Sequence, residues 1–139
     1  MRFVLTILLA VAAAPALAEW VAVGKPGKSG FLSVFSDNTH YIDPATITRD
    51  GNFRRVWEIH DLKEKGSQGE RSVLASVEYD CDAKRMRTLN ATGRSLRMAR
   101  GEIVPLRRVH DDWVFLRPGK DDEIFFKVLE TVCAPRPNP

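Results

Sequence analysis

A chain of 139 residues with a formal charge of +3, 44% hydrophobic and 28% charged residues is too apolar to be disordered and holds enough chain for one core. Two cysteines with no close-spaced partners exclude a structural zinc cluster, and aromatic residues are too sparsely interleaved with the cations to mark a nucleic-acid binder.

The chain opens MRFVLTILLAVAAAPALAEW. Arg2 precedes an apolar run from Phe3 to Ala13, and Ala16 and Ala18 place small residues where a signal peptidase reads. The pattern predicts a secretory signal over residues 1–18 and a mature domain over 19–139. The run is shorter than the roughly 20 residues a membrane helix needs. No cysteine follows the cut, so lipid attachment there has no acceptor. The expectation is an exported protein, periplasmic, at the cell surface or secreted, with no membrane span.

Glu19 to Lys25 reads as a first strand, followed by the loop KPGKSG. Strand-like pieces follow at Phe31–Phe35 and Thr39–Ile42. TITRDGNFRRVWEIHDL predicts a hairpin turning at Asp50-Gly51, since both residues tolerate positive φ. Lys63 to Glu70 is a polar loop. In the next strand Val73, Ala75, Val77, Tyr79 and Cys81 share one face, with Ser72, Ser76, Glu78 and Asp80 on the other. A turn at Asp82-Ala83 leads to a strand in KRMRTLNATG. RSLRMARGEIVPLRRV gives one or two more, the one with Pro105 at an edge or bulge, and DWVFLRPG gives the last.

Only DDEIFFKVLETVC has helical spacing. Ile124, Phe125, Val128, Leu129 and Val132 fall on one stripe, and the acids Asp121 to Glu123 suit the positive end of the helix. The fold class is therefore α+β: an antiparallel sheet of about six strands covered by one C-terminal helix. In an oxidising compartment the even cysteine count predicts a Cys81–Cys133 disulfide, tying that helix to the sheet. Closing so long a loop contributes roughly 4 kcal/mol.

The mature chain resembles the bacterial surface-adhesin protein E-like family. The resemblance runs through Trp20, HYIDPATITRDG, RRVWEIHD, RSVLASVEYDC, the glycine of ARGEIVP, DWVFLRPG and the terminal LETVC. It implies an antiparallel sheet with a disulfide-tied helix, and a surface protein that binds host matrix and plasma proteins.

Between Ala83 and Val109 stand eight cations (Lys84, Arg85, Arg87, Arg94, Arg97, Arg100, Arg107 and Arg108) against one acid, Glu102. If neighbouring strands gather them, a basic face forms. Lys84, Arg85, Arg87, Arg94, Arg97, Arg107 and Arg108 are then the candidate ligand-binding residues for a protein, an anionic glycan or a lipid headgroup. The competing reading is solvated charge that blunts strand edges. His40, His60 and His110 lack ligand spacing, so no metal site, cofactor or catalytic residue is expected. The tryptophans Trp20, Trp57 and Trp113 read as core. The leading expectation is a non-enzymatic binding module; the alternative is a periplasmic envelope-accessory protein acting through homo-oligomer contacts. A hydrolase would need a concave pocket with a histidine beside a carboxylate.

Overall fold

The computed structural model describes residues 18–23, 38–109, 111–119 and 123–135. The greater part of the expected signal segment, the strand-like piece Phe31–Phe35, His110 and the acids Asp121 and Asp122 lie outside these residues. The described strands are β1 (Val21–Ala22), β2 (Thr39–Ile42), β3 (Thr48–Asp50), β4 (Phe53–Asp61), β5 (Ser72–Asp80), β6 (Arg85–Arg94), β7 (Ile103–Val104) and β8 (Val114–Phe115). The helix α1 spans Glu123–Cys133.

The described strands form one antiparallel sheet in the order β1-β2-β4-β5-β6-β7. β3 pairs with β4 beyond the end of β2, and β8 pairs with β6 at the end opposite β7. Six strands make the main path, as the alternation predicts; β3 and β8 are short flaps on it. β7 stops at Val104, before Pro105, whose missing N–H could not extend the ladder. The β3–β4 turn is Gly51-Asn52, one residue later than expected, and only Gly51 takes positive φ, at 55°. Glycine first in a two-residue loop is the type II′ pattern. At Gly93 a side chain has no room: a Cβ would stand 2.5 Å from the Val104 carbonyl oxygen of β7.

Between β2 and β3, Asp43 is buried and folds the chain into a short 3-10 turn, Pro44–Thr46. Its carboxylate accepts from the Ala45 amide (3.1 Å) and its carbonyl from the Thr46 hydroxyl (2.7 Å). Thr46 in turn accepts from the Trp57 amide, so the Tyr-Ile-Asp-Pro segment fastens β2 to β4.

Alternate residues of the central strands face α1. Ile42, Val56, Ala75, Val77, Tyr79 and Met86 bury against Val128, Leu129 and Val132, three of the five residues of the expected stripe. Cys81, immediately after β5, is joined to Cys133 at the end of α1. The helix thus closes one side of the sheet by apolar burial and by a covalent bond across 52 residues of sequence.

Candidate binding face

The side of the sheet away from α1 carries the other alternate residues, and Glu78 and Asp80 are not solvated surface groups there. Both carboxylates are about 95% buried. Register explains this. Glu78 lies between Arg55 of β4 and Arg87 of β6, and Asp80 lies opposite Arg85. Arg55 Nε donates to Glu78 Oε2 (2.7 Å), and Arg87 donates to Oε1 through Nη2 (2.7 Å) and Nε (2.9 Å). Arg85 Nε donates to Asp80 Oδ2 at 2.9 Å. Burial alone would push the Glu78 carboxyl up; the two guanidiniums outweigh it and hold the group below the usual carboxylate range. The Ala83 amide and, against burial, Arg85 do the same for Asp80.

Trp113, just before β8, lies against Arg85 and Arg87, with guanidinium carbons 4.4 and 4.6 Å from its ring. Phe53 tilts against the same indole at 6.0 Å. On the same face, two residues along from Arg55, Trp57 is 39% exposed. Trp57 and Trp113 are therefore not core residues; they belong to an arginine-rich outer face.

The far end of this face is closed by the loop after β6. Asp61 is buried and accepts from Arg97 Nε (2.8 Å) and the Met98 amide (2.9 Å). Ser72, also buried, donates to the Leu96 carbonyl (2.6 Å) and accepts from the Ala99 amide (2.9 Å). Met98 and Ala99 sit in the left-handed region, φ 57° and 54°, a conformation these polar anchors hold in place.

The structure divides the basic segment. Arg85 and Arg87 stand beside Trp113 on one half of the open face, and Lys84 is exposed in the turn before them. Arg97 covers Asp61 at the other end, where Arg94 donates to the Gly101 carbonyl at 3.3 Å. Arg107 and Arg108 are exposed on the segment between β7 and β8; the Arg107 amide donates to Gln68 Oε1 of the β4–β5 loop. Arg55, from outside the segment, completes the array that sequence reading centred on residues 84–108.

A second polar group lies on the helix side. His40 and His60 pair directly across β2 and β4, their rings stacked at 4.2 Å, and Phe125 of α1 presses edgewise on both, at 4.9 and 5.6 Å. Glu58 Oε2 accepts from His60 Nε2 at 2.8 Å, and Glu58 Oε1 accepts from the Tyr79 hydroxyl. Burial, then the neighbouring His60, drives the His40 imidazole down to about 2, so it is neutral. Burial and the adjacent Glu58 push the Tyr79 hydroxyl well above its ordinary value. One ligating atom from each of His40, Glu58 and His60 lies within 4.8 Å of the others. Reading the histidines as isolated missed this group. The signal was present in WEIHD, where period two places Glu58 and His60 on one face. A groove of about 440 Å³ beside β1 is lined by Val21, Ala22, Val23, Lys127, Glu130 and Thr131, and neither Glu58 nor a histidine is among these residues.

A family model described as surface-adhesin protein E matches residues 20–134. The chain belongs to the surface-adhesin protein E family. Solved structures of Haemophilus influenzae protein E have the same fold. Crystal form II superposes with a TM-score of 0.57 at 16% identity, over 84% of this chain and 96% of that one. Protein E from non-typeable Haemophilus influenzae gives 0.55 at 12% identity, over 83% of this chain and 84% of that one. A selenomethionine form gives 0.53 at 12% identity, over 66% of this chain and 78% of that one. No curated protein sequence matches the chain. Membership supports an adhesin-like binding role among exported or surface proteins and suggests a non-enzymatic one. None of the described helices is long and apolar enough to cross a membrane.

Proposed function

We propose that this chain is an exported, non-enzymatic binding module that takes an acidic protein segment or an anionic glycan on its open sheet face. The observation that carries the reading is Trp113 lying against both Arg85 and Arg87, with exposed Trp57 on the same face. Tryptophan and arginine concentrate the binding energy of protein interfaces, and a guanidinium ordered by one carboxylate loses little freedom on meeting a second. Lys84 adds long-range attraction beside the array. Export rests on the signal-like first 18 residues and on the family.

Retention on immobilised heparin, with a plain cation exchanger as control, tests the reading. Retention beyond the exchanger, reduced by Trp57→Ala with Trp113→Ala and by Lys84→Ser, is the expected result. Elution together with the exchanger control would reject an anion-binding face.

A second reading has its own observation. β7 pairs with β6 only at Gly93 and Arg94, and β8 only at Arg85 and Met86. Among the described residues the outer edge of β6 between them has no partner strand, and Leu89 there is 39% exposed at a bulge. An edge of that length suits strand addition by a second copy. A dimer that persists at high salt and dissociates on Leu89→Lys would favour this envelope-accessory role.

A further inference from the structure

The group beneath α1 is built differently from everything else on the helix side of the sheet. His40 is about 95% buried, yet its Nδ1 has no hydrogen-bond partner among the described residues. Buried imidazole nitrogens are ordinarily paired. The functional groups beside it are the fully buried Glu58 carboxylate and the His60 imidazole. Two imidazoles and one carboxylate are a zinc-type donor set, and three protein ligands leave a fourth position for water.

We propose that His40, Glu58 and His60 form a binding site for one Zn²⁺ ion. This is independent of the open face on the other side of the sheet. Ligand atoms around tetrahedral zinc stand roughly 3.3 Å apart, so bringing together atoms within 4.8 Å asks for shifts of about 1 Å together with a rotation of the stacked His40 and His60 rings. The strands need not move, because the His40–His60 pairing and the Glu58–His60 alternation bring all three residues to one place on the sheet. The two imidazoles, stacked at 26° to one another, must turn out of their stack for both to face one ion. Tyr79 holds the Glu58 oxygen that does not meet His60, as outer partners of metal-bound carboxylates do. His60, whose side chain is 19% exposed, is the way in. On binding, the ion takes the place of the proton between His60 Nε2 and Glu58 Oε2, and that proton leaves to solvent.

The ordinary alternative is a closed polar cluster in which His60 and Glu58 satisfy each other. Equilibrium dialysis of the purified, tag-free protein against Zn²⁺ separates the two. One zinc per chain at micromolar affinity or tighter is expected, with Co²⁺ in its place giving the intense visible bands of a four-coordinate site. His60→Ala should weaken Zn²⁺ binding at least tenfold. Tyr79→Phe should weaken it about 10- to 100-fold through Glu58 alone. His60 is the least buried of the three, so His60→Ala keeps the test decisive if a His40 or Glu58 variant fails to fold; near-ultraviolet circular dichroism checks each fold. Absence of stoichiometric zinc, or unchanged affinity in folded His60→Ala, overturns the proposal.

Discussion

The two faces of this sheet are made by the same strands, and each buries carboxylates, but by opposite means. Beneath α1, Glu58 is enclosed by apolar residues and held by Tyr79 and His60. On the open face, Glu78, Asp80 and Asp61 lie under arginines that themselves remain partly or largely exposed. One face is closed by apolar packing and a covalent tie. The other is a layer of charge ordered from below. A partner approaching the open side meets guanidiniums already fixed in position, and removing one of them exposes a carboxylate that the fold has desolvated.

The comparison can be broken most severely on the helix side. Cys133→Ser should lower the stability by about 4 kcal/mol, read from urea unfolding, because the 52-residue loop is no longer closed in the unfolded chain. An unchanged midpoint would mean that packing alone holds α1. Leu129→Ala, at a fully buried position, should cost about 3 kcal/mol, whereas Trp57→Ala on the open face should change stability by less than about 1 kcal/mol. Equal losses would erase the distinction between a packed and an exposed face.

Acid titration sharpens the difference. Glu78 and Asp80 are held below their ordinary values in the folded protein, so the stability they contribute is present above about pH 4, the unfolded range. It is lost as pH falls through the lower folded values. Glu78→Gln should flatten that acid limb and leave stability near neutrality lower, because Arg55 and Arg87 lose their shared partner. A limb as steep as in the unmodified protein would show that other carboxylates set it. The smallest effect expected is at the loop: Ala99→Gly relieves a left-handed alanine and should raise stability by up to about 1 kcal/mol. A clear loss there would mean that the Ala99 methyl packs usefully.

Much of the helix side was legible because its signals are local. A 3.6-residue stripe marks α1, and the cysteine count in an exported chain marks the bond to β5. The arginine face was only half legible. The charge run from Lys84 to Arg108 is visible, but its partners Glu78, Asp61 and Arg55 sit on strands whose register no local pattern reports. Short β7 and β8 then set Arg107 and Arg108 apart from Arg85 and Arg87. Trp57 misled because a tryptophan in an alternating strand is ordinarily core; here it occupies the phase that faces away from α1. The histidine group depended on a single cross-strand pairing between β2 and β4, which sequence separation hides, although Glu58 and His60 alone carried part of it.

The Cys81–Cys133 bond also decides where tension would go. A pull applied to the chain beyond Cys133 is delivered through sulfur to the end of β5, a strand laddered along its whole length by β4 on one side and β6 on the other. The helix is bypassed, so it cannot peel away turn by turn. Rupture then requires many ladder hydrogen bonds to fail together, which makes this tether point resistant to shear.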